Sequence, residues 1–323
     1  MKAVIFDGTL KVVTDHPKPI PRPGWSRVRV TTAGICKTDL ELIKGYMGFS
    51  GVLGHEFVGV VEHDDGPPGR RVIGEINAAC GACDWCANGL GRHCPHRTTL
   101  GIGGLDGCMA EYCVLPDENL IDVPDDLPDD HAVLVEPLSA ACEILEQHPL
   151  RGDERIAVLG DGKLGILCAW VLASVARDVT LVGKHPDQLS IATWRNLRTA
   201  LADDSLEGGM DLVIEATGSA DGLARAIALC RPRGAIALKS TLATPHRLNL
   251  APIVVNEITV FGSRCGQFKD GLAWLKKNPD APLGRLIVAH LPIRDALESF
   301  RRAASGSLKV LLDILEAKKE PRP

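Results

Sequence analysis

Arg155-Ile156-Ala157-Val158-Leu159-Gly160-Asp161-Gly162-Lys163-Leu164-Gly165 is the stretch that decides the fold. A short apolar run enters three glycines at G-x-G-x-x-G spacing, and the apolar stretch Leu164–Ala176 continues with helical length and spacing. Such a glycine motif alone is weak, because glycine-rich turns occur in any α/β protein. Strand, glycines and helix in this order are what a dinucleotide-binding turn requires. Gly160 permits the turn, Gly162 lets the backbone approach a pyrophosphate, and Gly165 lets helix and strand pack. Lys163 and Leu164 open a helix whose positive end faces the phosphates. All five are candidate cofactor-binding residues.

Working outward, apolar runs recur at Val179–Gly183, Asp211–Thr217, Ala235–Leu238 and Ile258–Gly262, with helical spacing between them, as in Ala220–Cys230. Alternating strand and helix predicts an α/β, doubly wound parallel sheet of the Rossmann kind. Arg198–Leu201 is a candidate for a further strand. The end of the second strand bears on the cofactor. An NAD site sets an Asp or Glu about twenty residues after the fingerprint, to hold the ribose hydroxyls. Here Gly183-Lys184-His185 stands in that place, with no carboxylate until Asp187. Glycine leaves room for a bulkier group and Lys184 offers charge to a 2′-phosphate, which favours NADP over NAD. The bland alternative is a solvated loop lysine.

Before the fingerprint, Cys80, Cys83, Cys86 and Cys94 read C-x2-C-x2-C-x7-C, with Gly81, Gly89 and Gly91 allowing tight turns. Four thiolates at these spacings suit a closed tetrahedral zinc site that stabilises a loop and does not catalyse. An iron–sulfur run also opens C-x2-C-x2-C but closes with x3-C-P; the x7 spacing argues against it, although Pro95 does follow Cys94. Further upstream, Cys36-Lys37-Thr38-Asp39 and Gly54-His55-Glu56 pair a thiolate with an imidazole, the donors zinc takes when it does chemistry. Each lies beside a carboxylate, Asp39 or Glu56, able to orient a ligand or join the metal. By themselves a buried cysteine and a core histidine account for the pair more readily than a metal does. The GHE triplet sits where a loop enters the strand-like run Phe57–Val61.

With Gly34–Asp39, Gly54–Glu56, the four-cysteine lobe, Val135-Glu136-Pro137-Leu138, Gly160–Gly165 and Glu215-Ala216-Thr217-Gly218 in order, the chain resembles the zinc-containing medium-chain dehydrogenases: alcohol, sorbitol, glucose and threonine dehydrogenases. The resemblance covers nearly the whole length. It implies a mostly β, GroES-like catalytic domain over 1–136 and 265–323, and a dinucleotide domain over 137–264. It matches Cys36 and His55 to catalytic zinc ligands. Glu136 matches the carboxylate ligand of the sorbitol and glucose branch, and Glu56 a residue that reaches the metal in some members. Thr38 matches the hydroxyl that takes the substrate's proton, and Asp39 the partner of the histidine. Lys37 and Lys309 match basic residues on the cofactor's pyrophosphate; Gly183, Lys184, His185 and Thr217 are the remaining cofactor candidates. Many members have a proton-relaying histidine where this chain has Glu41, so either Glu41 is the terminal base or the proton leaves another way.

The resemblance thus implies two zinc ions, one catalytic and one structural, and hydride transfer between a secondary alcohol or polyol and NAD(P). A catalytically silent nucleotide-binding relative is the alternative, disfavoured by the complete set Cys36, His55, Glu136 and Thr38. Zinc-free quinone reduction is disfavoured by both metal sites. Relatives form dimers or tetramers through sheet edges, for which Ala235–Leu238 and Ile258–Gly262 are the candidate strands here.

The totals agree. A chain of 323 residues holds two cores, and a net charge of −5 with no basic run leaves no footprint for nucleic acid. No apolar stretch is long enough for a bilayer and Met1–Phe6 starts as a strand, not a leader, so a cytoplasmic protein is expected. Eleven cysteines, an odd number, argue against a disulfide framework. His63 and His246 are read as surface or structural, and Glu316–Pro323 as a frayed end.

Overall fold

The computed structural model describes residues 1–62, 69–204, 206–241 and 247–315; His63, His246 and Glu316–Pro323 lie outside them. The chain forms two compact units, Met1–Val135 with Ile287–Pro323, and Glu136–Leu286.

The second unit is built on a six-stranded sheet in the order Arg198–Leu201, Asp178–Gly183, Arg155–Leu159, Met210–Glu215, Cys230–Leu238 and Thr259–Gly262. Every neighbouring pair is parallel. Counted along the chain this is 3-2-1-4-5-6, the order whose reversal leaves a ligand crevice at the carboxyl ends of the first and fourth strands. The expected strand at Arg198–Leu201 is present as an edge. Thr259–Gly262 is the other edge, so Ala235–Leu238, expected as an edge, is flanked on both sides. Ala235, Ile236 and Ala237 are all buried, as both-face burial requires. The helix Lys163–Ala173 is apolar all round, with Gly165 through Leu172 buried.

The second unit extends past residue 265, where the return to the first unit was expected, and ends at Leu286. The helix Phe268–Lys277 explains the difference. Its buried face carries Phe268, Gly271 and Trp274. Trp274 packs edge-on to Trp194 at 5.7 Å and donates from Nε1 to Ser174 Oγ at 3.0 Å. Both partners belong to the dinucleotide sheet's own connections.

The first unit is mostly β. Trp25–Gly34 is its long central strand, paired antiparallel with Glu56–Val61, Tyr112–Pro116 and Lys309–Asp313. Arg71–Gly74 and Leu120–Asp122 extend the sheet beyond Glu56–Val61, and Ile287–Pro292 extends it beyond Lys309–Asp313. Register sets Gly34 opposite Glu56 on one side and Leu311 on the other. Three strand ends therefore meet where the chain enters Cys36.

Candidate functional site

Cys36 is the N-cap of the short helix Lys37–Leu42, and Asp39 at its third position returns a carboxylate Oδ2 to the Cys36 backbone N–H at 2.8 Å. This capping box fixes the sulfur at the strand end. The other oxygen of the fully buried Asp39 accepts from Gly54 N–H at 3.2 Å and lies 3.5 Å from His55 Nδ1. One carboxylate thus ties the Cys36 and Gly54-His55-Glu56 segments together. Potential ligand atoms of Cys36, His55 and Glu56 all lie within 4.8 Å of one another. His55 is buried, and its Nδ1 has no hydrogen-bond partner among the described residues. Burial alone would push its pKa down; Asp39 and Cys36 outweigh that and hold it well above the ordinary value. Its thiolate, imidazole and carboxylate are donors suited to zinc. The residues present fit the metal.

Glu56 has a second partner. Lys309, fully buried, pairs its ammonium with the Glu56 carboxylate and reaches Ile35 O at 3.3 Å. Gly34 makes room, because a Cβ there would run into Glu56 and stand 3.2 Å from Lys309 Nζ. The expectation that Lys309 contacts a pyrophosphate does not hold in this arrangement: with no exposed surface its charge is committed to Glu56. Thr38 Oγ1 lies 3.8 Å from Cys36 Sγ. Lys37 is exposed and pairs with Glu41 at 3.3 Å, and Lys44 reaches Glu41 at 3.1 Å. Burial works to raise the Glu41 pKa, but the two ammonium groups outweigh it and hold the carboxyl below its usual value. Glu136 stands in the first turn of the helix Val135–Gln147, at the start of the second unit.

Cys80, Cys83, Cys86 and Cys94 come together in the first unit, with Sγ–Sγ separations of 3.5 Å for 83–86 and 80–94, 3.7 Å for 83–94 and 3.9 Å for 80–86. Backbone hydrogen bonding at Cys80, then at His96, brings the Cys94 thiol down to about 6, while burial pushes Cys86 up to about 11. This is a closed four-sulfur cage.

In the second unit Gly160 takes φ +111°, and a Cβ on it would strike the backbone of Ala216 and Thr217. Gly165 is needed for a different reason: its Cβ would overlap Gly160 O. Nothing lies within 4 Å of a Cβ built on Gly162, as expected where a ligand must approach. Thr217 donates from N and Oγ1 to Glu215 Oε1, at 2.9 and 2.5 Å, and Ala216 N–H donates to Leu159 O at 2.9 Å, which holds the fourth strand's end beside the glycine turn. Residues 22–125 match the alcohol dehydrogenase GroES-like domain, and residues 129–314 match the glucose dehydrogenase C-terminus. The chain belongs to the zinc-containing medium-chain dehydrogenase family.

Both matched models describe dehydrogenases, so this family member is an oxidoreductase. It is 27% identical to the starvation-sensing protein RspB of Escherichia coli K12, over 98% of this chain and 100% of that one. It is 30% identical to an L-threonine 3-dehydrogenase of Deinococcus deserti, over 93% and 95% of the two chains. Among solved structures, a zinc-binding dehydrogenase of Sinorhizobium meliloti 1021 bound to NADP superposes with a TM-score of 0.85 at 27% identity, covering 97% of this chain and 98% of that one. Among the described residues no helix is long and apolar enough to cross a membrane.

One residue of the dehydrogenase's dinucleotide turn escaped the reading of the sequence. Asp161, between the first two glycines, brings a carboxylate to the backbone of Lys184 and His185, where sequence spacing found none.

Proposed function

We propose that this chain is a zinc-dependent dehydrogenase that moves a hydride between a secondary alcohol or polyol and a nicotinamide dinucleotide, NADP in preference to NAD. The observation that carries the reading is the buried cluster of Cys36, His55 and Glu56, backed by Asp39. Cys36 and His55, with Glu136 as the third ligand, would hold the catalytic ion, and the four-cysteine lobe a structural one. Zinc, when bound, acts there as a Lewis acid that polarises the substrate oxygen and lowers its pKa. Around it Asp39 orients the imidazole, and the Thr38 hydroxyl takes the substrate's proton at Oγ1. Glu56 is held by Lys309 and serves as a reserve of negative charge behind the metal. Nicotinamide supplies the redox chemistry; the Gly160–Gly165 turn and Thr217 supply its grip on the protein.

A carboxylate ligand at Glu136 favours polyols, sugars or amino alcohols over simple alcohols, and the L-threonine and sorbitol dehydrogenases among the relatives support that class. Lys184, exposed at the end of the second strand, supports NADP. We further propose a cytoplasmic homodimer or homotetramer with no nucleic-acid or membrane partner; the edge strand Thr259–Gly262, beside exposed Val254 and Val255, supports self-association. The test is to supply zinc-loaded protein with NAD or NADP and a panel of alcohols and polyols, following nicotinamide absorbance. Turnover on polyols, faster with NADP, is expected, and Lys184→Asp should move the preference toward NAD. No turnover on any member of the panel with both metal sites filled would overturn the assignment in favour of a silent binding protein.

A further inference from the structure

The end of the strand Asp178–Gly183 holds a carboxylate that the strand does not supply. Asp161 comes from the glycine turn, and its side chain is 9% exposed. Its Oδ2 accepts backbone N–H groups of Lys184 at 2.7 Å and His185 at 2.6 Å. Both of its oxygens also face His185 Nδ1, at 3.2 and 3.1 Å. A Cβ on Gly183 would fall onto the Asp161 side chain, so the aspartate occupies the volume that a strand-end residue would otherwise fill.

An acid at this point ordinarily offers its oxygens to the ribose hydroxyls. This one is turned inward. Two amides and an imidazole engage it, and little of it is left for a ligand. What remains outward are the exposed Lys184 and a His185 whose side chain is 62% exposed while its Nδ1 is tethered. The tether at Nδ1 leaves Nε2 as the outward edge of the ring.

We propose that Asp161 is the positioning residue of the adenosine-ribose end, holding Lys184 and His185 as a cationic cradle for a ribose 2′-phosphate. It rests on the dehydrogenase reading above. Asp161 acts through its two neighbours in space; its carboxylate does not touch the ligand.

The test is calorimetric binding of ADP-ribose and its 2′-phosphate to the zinc-loaded full chain, in wild type, Asp161→Ala and Asp161→Asn. Wild type is expected to bind the 2′-phosphate more tightly. Asp161→Ala should lower that preference about tenfold, the loss of one weakened charge-assisted contact, with a smaller change for ADP-ribose. Asp161→Asn keeps an oxygen for the two amides and should retain most of the preference. If Asp161→Ala does not fold, Lys184→Ala and His185→Ala must each lower the preference, and an unchanged ratio in both overturns the proposal. An equal loss for both ligands in Asp161→Ala, or a gain in 2′-phosphate preference, also overturns it, the first assigning Asp161 a purely structural role and the second a repelling charge. Wild type that binds both ligands without favouring the phosphate sinks this proposal alone. Wild type that binds neither sinks the dehydrogenase reading with it.

Discussion

Cys80, Cys83, Cys86 and Cys94 fall within one loop, whereas Cys36, His55 and the buried Lys309–Glu56 pair are gathered from strand ends far apart in the chain. The loop has little else to hold it. Its regular structure amounts to the turns Asp84–Ala87 and Gly91–His93 and the small sheet of Asn77–Ala78, Thr98–Leu100 and Gly104–Leu105, and Trp85 and Leu90 are exposed. A segment so sparsely packed is one that a proposed structural ion would organise, as in other small metal modules. The buried cluster is the reverse case. Strand register, a capping box and Asp39 hold its donors before any ion arrives, and packing around Leu40, Leu42 and Leu53 is complete. On the proposed reading, one site folds around its metal and the other is folded in advance for chemistry.

That contrast can be broken by mutation. Cys36→Ser should leave the melting temperature near that of wild type and cut kcat/KM by at least about 10³-fold, since several kcal/mol of oxygen polarisation goes with the metal. A loss of folding instead would mean the buried site, too, depends on its ion. Next in size is Lys309→Met. Stranding the Glu56 carboxylate should cost about 3–5 kcal/mol in denaturant unfolding, and the Lys309→Met/Glu56→Gln pair should recover most of it. An additive double variant would contradict the pairing. Cys83→Ser should lower the melting temperature by about 5–10 °C and lose one zinc, with the surviving folded fraction still turning over. Smallest is Asp39→Asn, expected to weaken zinc at the Cys36 site about 10–100-fold, as loss of an orienting carboxylate does. Unchanged affinity would remove Asp39 from the account.

How legible each region was in the sequence follows the same contrast. The cysteine loop and the Gly160–Gly165 turn are local codes, where spacing alone carries the geometry: the four sulfurs do gather, and Gly160 and Gly165 do sit where a Cβ would clash. Alternating apolar runs gave the sheet, including the short edge Arg198–Leu201. What the sequence could not report is long-range. Trp274 ties Phe268–Lys277 to the dinucleotide unit through Trp194 and Ser174, partners lying distant in the chain, so the domain boundary was set too early. Lys309 reads as an accessible cation until the sheet brings Glu56 against it. Ala235–Leu238 reads like any buried run, and only the strand order shows that it is interior. Asp161 was legible in principle, because an acid inside the fingerprint beside a strand end lacking one is a local signal.

The most direct test of the central claim is zinc content and turnover followed together during dialysis against a chelator. The two clusters predict two ions per chain. The ion at Cys36 and His55, held by three protein ligands against four in the cysteine lobe, should leave first, taking turnover with it while the melting temperature holds, and added zinc should restore both. Full turnover after the first ion has gone, or activity that falls only as the chain unfolds, would contradict a catalytic metal at Cys36 and His55.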